Sequence, residues 1–76
     1  MATLHRKIGE GLAQVTVYTD ATYDYVCEGP ADAALTASTW RVRRVKLDGT
    51  RVEWAQGKDD YQFPATDLST VQALFS

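Results

Sequence analysis

The chain lacks most of the cross-links that hold small domains together. Its 76 residues include only one cysteine, so an internal disulfide cannot form. They also include only one histidine. A metal site needs three or four suitable ligands, and one cysteine with one histidine does not supply them. Isoleucine occurs once, whereas alanine occurs ten times. A chain this short buries only about 60% of its unfolded surface. We therefore expect a small domain that gains stability from partners.

An excess of charge of one sign is also absent. Eight Lys and Arg against ten Asp and Glu give a net charge of -2, which speaks against nucleic-acid and anionic membrane partners. No apolar run approaches the ~20 residues of a membrane-spanning helix, and no secretory signal is expected. The single cysteine, Cys27, is consistent with folding in a reducing compartment.

Few residues are suited to catalysis. Cys27 would need a base such as His5, but His5 lies in a polar N-terminal stretch. Cys27 is therefore expected to be a small, half-buried apolar residue. Asp59, Asp60 and Asp67 do not follow the calcium-loop pattern and are expected to be solvated carboxylates. We predict a non-enzymatic protein with no catalytic residue, no cofactor and no metal ion.

Local patterning predicts an arm followed by one domain. Residues 1–11 are polar, contain two glycines and predict a flexible N-terminal arm, or alternatively a first short strand. Residues 12–76 are predicted to form a single β domain, since strand-like runs recur along them.

The first of these runs alternates with period two. In residues 12–18, Val15 and Val17 share one face, which we predict to be buried. A polar turn and a second strand follow, and closing the turn would pair Tyr18 with Tyr23.

The strongest signal is a hairpin at Asp48-Gly49. This dipeptide between two strand-like runs predicts a type I′ turn, which requires positive φ at both residues. The resulting register places Arg43 opposite Trp54. One face of the hairpin then collects four apolar residues, predicted to be core: Val45, Leu47, Val52 and Trp54.

The first half of this hairpin contains a conflict. Trp40 and Val42 are also predicted to be core, but they alternate out of phase with Val45. A β-bulge around Arg43 and Arg44 would return them to the buried side, or both faces of the strand are covered.

The C-terminal segment allows two interpretations. Thr66 or Asp67 could cap a short helix, or residues 68–75 could form a last strand. The β context favours the strand. The predicted fold is all-β: a small antiparallel sandwich or open barrel of four to five strands with a flexible N-terminal arm.

Basic residues along the strand that begins at Trp40 suggest one function. Small β-barrels bind single-stranded nucleic acid by stacking bases on exposed aromatics beside Arg and Lys, which would make Trp40, Arg41, Arg43 and Arg44 the site. The simpler interpretation makes Trp40 a core residue and pairs Arg44 with Glu53.

Aromatic residues suggest two other kinds of surface. Tyr61 and Phe63 lie in a loop, and aromatics and Arg are common anchors of protein interfaces. The predicted interface residues are Arg41, Arg43, Arg44, Tyr61 and Phe63. A glycan-binding module is a further alternative if three rings are exposed: Tyr18, Tyr23 and Tyr25.

Six motifs are spaced along the chain: Tyr23-Asp24-Tyr25, Gly29-Pro30-Ala31, Trp40 with alternating basic and β-branched residues, Asp48-Gly49, Trp54-Ala55-Gln56-Gly57, and Tyr61 with Phe63. This pattern resembles small β-rich structural proteins of tailed bacteriophages. The resemblance implies a virion component made in the bacterial host cytoplasm: a capsid decoration, neck or collar, or tail-fibre protein. It implies assembly with other phage proteins and as a homo-oligomer, and it brings no catalytic residues.

Overall fold

The computed structural model describes the backbone of residues 2–8 and 13–75 and the side chains of residues 14–75. Five strands form one open antiparallel sheet in chain order. A 3-10 helix at Ala55–Gly57 and a helix α1 at Leu68–Ala73 follow the strands. The strands are β1 (Ala2–Ile8), β2 (Ala13–Thr19), β3 (Tyr23–Pro30), β4 (Arg41–Lys46) and β5 (Val52–Trp54). The prediction of an all-β antiparallel fold is confirmed.

The N-terminal segment contributes β1, which pairs with β2 along its full length. For residues 1–11 the sequence analysis predicted a flexible arm, with a first short strand as the alternative, and β1 is that strand. Residue 1 and residues 9–11 of the predicted arm lie outside the described residues.

The two faces of the sheet differ in what covers them. On β2, Thr16 and Tyr18 are 1% and 6% exposed, whereas Val15 and Val17 are half-buried on the opposite side. We call the covered side the core face and the opposite side the outer face. The buried core consists of Tyr18, Tyr25, Cys27, Trp40, Val42, Ala55, Phe63, Ala65 and Val71.

Aromatic residues explain why this side of the sheet is the covered one. Their rings bury more apolar area than valine, and their polar groups find partners inside. The Tyr18 hydroxyl donates to the Ala65 carbonyl at 2.7 Å. The Trp40 indole N–H donates to the Ala34 carbonyl at 2.9 Å. Burial of these rings therefore leaves no unpaired donor at either position.

Strands β3 and β4 pair without interruption over six residues. The bulge predicted around Arg43 and Arg44 is therefore wrong. Trp40 and Val42 are both 0% exposed, as predicted. Because the ladder is regular, Val45 has the opposite parity to Val42 and lies on the outer face.

The β4–β5 hairpin has the predicted register, with Val45 opposite Val52. Its turn differs from the prediction. Gly49 has φ of 78°, but Asp48 does not have positive φ, which excludes type I′. The Gly49 N–H donates to the Lys46 carbonyl at 2.8 Å, so the tight turn lies one residue earlier and ends on a left-handed glycine.

Six of the eight predicted core residues lie outside the core. Leu47 and Val52 are 52% and 56% exposed, and the other four are half-buried. The prediction was wrong because both faces of these strands carry apolar residues, so alternation alone does not decide which face is covered. The six are Val15, Val17, Val45, Leu47, Val52 and Trp54.

The β2–β3 register also differs from the prediction. Tyr18 lies opposite Tyr25 and not opposite Tyr23. The turn that joins these strands spans residues 20–23 and is closed by the Asp20 N–H, which donates to the Tyr23 carbonyl at 3.0 Å, so it lies one position later than predicted. Asp20 holds it there by accepting hydrogen bonds from two backbone N–H groups inside the loop, at 2.8 and 2.7 Å.

The C-terminal segment is a helix, and the preferred strand is wrong. The Asp67 side chain accepts a hydrogen bond from the Thr70 N–H at 2.8 Å, which is the geometry of a helix N-cap. Val71, on α1, is 0% exposed and packs into the core. The local cap therefore outweighs the β context of the rest of the chain.

Gly29 is required beneath the Trp40 indole. A Cβ at this position would lie 2.8 Å from an indole carbon. We expect Gly29→Ala to lower the free energy of unfolding by about 1–3 kcal/mol through overpacking. Urea unfolding measures this loss. Combining it with Trp40→Phe should recover part of the loss, since the smaller ring leaves room for the methyl group. Strictly additive losses in the double variant would contradict the contact.

Candidate functional site

Valines dominate the outer face. The hydrophobic core formed by the described side chains includes none of five valines on this side of the sheet, whereas it includes Val42 and Val71. The five are Val15, Val17, Val26, Val45 and Val52. Cross-strand pairing sets Val17 opposite Val26 and Val45 opposite Val52, and four charged residues share the face with them: Asp24, Glu28, Arg41 and Arg43. A sheet face turned to water normally carries polar residues, so five partly exposed valines give this face more apolar surface than an isolated domain usually shows.

Arg41 lies beside these valines, between two aromatic rings. Its guanidinium carbon is 5.1 Å from the centroid of the Trp54 ring and 5.0 Å from that of the Tyr61 ring. Both distances are within the range of cation–π attraction. Tyr61 is 55% exposed, so this stack lies at the surface.

Arg41 and Arg43 share a single carboxylate. The Oε1 atom of Glu28 accepts a hydrogen bond from Arg41 Nη2 at 3.3 Å and another from Arg43 Nη1. The Arg43 guanidinium carbon also lies 5.7 Å from the Trp54 ring centroid. Ion pairs as exposed as these contribute at most about 1 kcal/mol each to stability. Their main effect is to hold both guanidinium groups in place while leaving a surplus positive charge.

Arg44 lies on the core face, away from this cluster. Its guanidinium carbon is 4.2 Å from the Tyr23 ring centroid and 4.8 Å from that of Phe75. The predicted pairing with Glu53 is confirmed, at 3.2 Å. Through its contact with Phe75, Arg44 therefore holds the segment after α1 against the core face of the sheet. It does not join Arg41 and Arg43 on the outer face.

Phe63 is part of the core and not of the surface. It is 6% exposed and exchanges two backbone hydrogen bonds with Trp40, at 2.9 and 3.0 Å. Its predicted interface role does not fit this position. Tyr61, two residues earlier, remains exposed and available. Of the predicted interface residues, the structure brings together Arg41, Arg43 and Tyr61, and it adds Trp54, which the sequence assigned to the core.

Cys27 is fully buried, more deeply than the sequence suggested. Burial raises the pKa of its thiol to about 12, against a smaller opposing effect of Arg43. The thiol is therefore protonated and shielded near neutral pH. We expect a disulfide reagent to modify native protein at least ~100-fold more slowly than urea-unfolded protein, since reaction needs local opening. Equal rates in the two states would contradict this burial.

An open pocket of ≈ 330 Å³ lies between β5 and the C-terminal end of α1. The sequence analysis predicted no pocket there. Its lining residues are Glu53, Trp54, Gln56, Gly57, Leu74 and Phe75.

Within residues 2–8 and 13–75, no group of three or more His, Cys, Asp and Glu residues could hold a metal ion. No helix in that part of the chain has the length and apolar character needed to cross a membrane.

Comparison of the chain with protein-family models, with curated proteins and with solved structures finds no match. The outer face, with its valines and its arginine–aromatic cluster, is therefore the feature on which a functional interpretation rests.

Proposed function

We propose that this chain is a non-enzymatic structural component of a tailed-phage particle and that it acts through protein–protein assembly. The observation that carries the proposal is the apolar outer face of the sheet. The resemblance of the spaced β-sheet motifs to phage structural proteins supports the phage context. The capsid surface, the neck or collar and the tail fibre are all positions where such a protein works in many copies.

The energy available from covering this face is substantial. Full burial of a valine side chain contributes about 1.5–3 kcal/mol. Val52 is 56% exposed and the other four valines are already mostly buried, so covering the rest of the five side chains contributes about 3 kcal/mol. Small domains are stable by only about 5–15 kcal/mol in total, so contact with a partner on this face would add an appreciable part of the domain's own stability.

The arginine–aromatic cluster fits a protein partner. Trp, Tyr and Arg are the residue types most often found to dominate binding energy at protein interfaces. Here Trp54 and Tyr61 hold Arg41 in place before any partner arrives. Because the side chains are already ordered, binding costs less rotamer entropy than it would for free arginines.

Burial of key rings counts against the alternatives. A nucleic-acid site on β4 needs an exposed Trp40, but that ring is 0% exposed, and Arg44 is held on the core face. A glycan site needs exposed tyrosines, but Tyr18 and Tyr25 are 6% and 3% exposed. A protein-binding surface does not require these rings to be exposed, because the valines and the stack of Arg41 with Trp54 and Tyr61 can make the contact.

Quantitative mass spectrometry of purified particles tests the proposal, using the phage whose genome encodes the chain. We expect the chain in a fixed ratio to the major structural proteins. Val26→Lys, in the middle of the outer face, should be depleted from particles. Ala73→Lys adds the same charge to the exposed surface of α1 and should be retained. Absence of the wild-type chain from particles would refute the proposal.

A further inference from the structure

We infer that Arg41 and Arg43 form a receptor for a carboxylate, and that the protein partner of the outer face presents an Asp or Glu side chain flanked by apolar residues. The inference rests on the proposed role of the outer face as an assembly surface, and it names the chemistry of the partner. The apolar residues of that partner cover the valines, and its carboxylate binds both guanidinium groups.

Glu28 shows that a carboxylate oxygen fits between the two arginines. Its Oε1 atom accepts a hydrogen bond from Arg41 Nη2 at 3.3 Å and another from Arg43 Nη1. Each guanidinium carries five N–H donors, and the two groups donate to no other described residue. Among the nitrogens left without an acceptor, only Arg41 Nε is buried. The remaining donors are therefore open to a second carboxylate.

The charge at this site favours an anion. Two guanidinium groups form ion pairs with one carboxylate, so the described residues leave one positive charge unpaired. The guanidinium carbons of Arg41 and Arg43 lie 5.1 and 5.7 Å from the Trp54 ring centroid. A ring attracts a cation without neutralising it or occupying its N–H groups. The two arginines are thus held in place while they keep the charge and the donors that bind carboxylates in pairs of hydrogen bonds.

The surroundings favour the carboxylate of a protein over the phosphates of a nucleic acid. Val26 lies directly opposite Arg43 in the β3–β4 ladder, and Val45 follows two residues later on β4, so apolar contacts adjoin the charged ones. A nucleic-acid strand brings a run of phosphates. Such a run would also meet the carboxylates of Asp24 and Glu28 on the same face. A single acidic side chain among apolar neighbours matches this small positive region without that repulsion.

NMR titration of the full chain at low ionic strength tests the inference, with the arginine Nε–H signals as reporters. The probe is a capped pentapeptide of sequence glycine-valine-glutamate-valine-glycine, and its control has glutamine in place of glutamate. We expect the glutamate peptide to shift the signals of Arg41 and Arg43 and to bind at least ~10-fold more tightly than the glutamine peptide. Equal affinity of the two peptides, or no shift with either, would overturn the inference.

Replacement of Glu28 separates a carboxylate receptor from a purely structural ion-pair cluster. Glu28→Gln removes the internal competitor and increases the unpaired positive charge, so affinity for the glutamate peptide should rise at least ~3-fold. Arg43→Gln should lower it at least ~10-fold. Arg51→Gln removes the same charge from an exposed residue beside the β4–β5 turn and should bind like the wild type.

Circular dichroism establishes that each variant remains folded. Unchanged or lower affinity of Glu28→Gln would overturn the inference, and this variant decides the matter if Arg43→Gln fails to fold.

The source of the anion and the proposed function are tested separately. A thymidine dinucleotide carries one phosphate charge and so matches the peptide. If it binds Arg41 and Arg43 more tightly than the glutamate peptide does, the site recognises phosphate and the inference is wrong. If the peptide does not bind but the chain is present in particles, the receptor is refuted and the structural role stands. If the peptide binds as expected but the chain is absent from particles, the receptor stands and the structural role is refuted.

Discussion

Replacing Trp40 with alanine is expected to lower the free energy of unfolding by about 3–5 kcal/mol. The ring is 0% exposed, packs against Gly29 and donates its indole N–H to the Ala34 carbonyl. Its backbone also bridges to Phe63, which joins the sheet to the loop that precedes α1. Loss of the ring leaves a cavity in the layer that covers the core face, and a domain of this size has little stability to spare.

Urea unfolding followed by circular dichroism measures this effect. Leu47→Ala is the control, because Leu47 is also a large apolar residue but is 52% exposed. We expect the control to change stability by no more than about 0.5 kcal/mol. Similar losses for the two variants would mean that Trp40 is not the centre of the core.

Replacing Asp20 with alanine is expected to lower the free energy of unfolding by about 2–3 kcal/mol, since hydrogen bonds to a charged acceptor contribute more than neutral ones. Its Oδ1 accepts from the backbone N–H groups of Thr22 and Tyr23. Its Oδ2 accepts from the Tyr25 hydroxyl at 2.8 Å and from Gln72 Nε2 at 3.0 Å. One carboxylate thus ties the β2–β3 loop to α1.

The same carboxylate gives stability a pH dependence. Burial alone would raise the pKa of Asp20, but the hydrogen bonds from Thr22, Tyr23, Gln72 and Tyr25 bring it down to about 2 from 3.8. Because the folded pKa lies below the unfolded one, the stabilisation is complete above about pH 4 and is lost as pH falls toward 2. Urea midpoints measured across that range should fall less steeply for Asp20→Asn than for the wild type. Parallel curves would contradict this role.

The sequence predicted the features that short-range chemistry determines. Asp48-Gly49 predicted the hairpin and its register, and the register already placed Arg43 opposite Trp54. Trp54 could therefore have been recognised as part of the arginine cluster. Alternation predicted the strands, but it did not show whether the face with the valines or the face with the tyrosines would be buried. The layer that covers one face comes from residues far away in the chain, such as Phe63 and Val71.

Local hydrogen bonds decided the elements that the sequence analysis assigned wrongly. The Asp67 cap makes the C-terminal segment a helix although its apolar residues also suit a strand. The Asp20 side chain shifts the β2–β3 loop by one position. In both cases a carboxylate satisfies backbone N–H groups, an effect that hydrophobic patterning does not register.

Methyl NMR of valine-labelled protein tests the central claim most directly, because the seven valines report on both faces of the sheet. On addition of the phage structural proteins, the account predicts that the methyl signals of the five outer-face valines shift and become protected from a soluble paramagnetic probe, while those of Val42 and Val71, in the core, stay unchanged. If the outer-face methyls remain equally accessible to the probe in the presence of these proteins, the outer face is not an assembly surface.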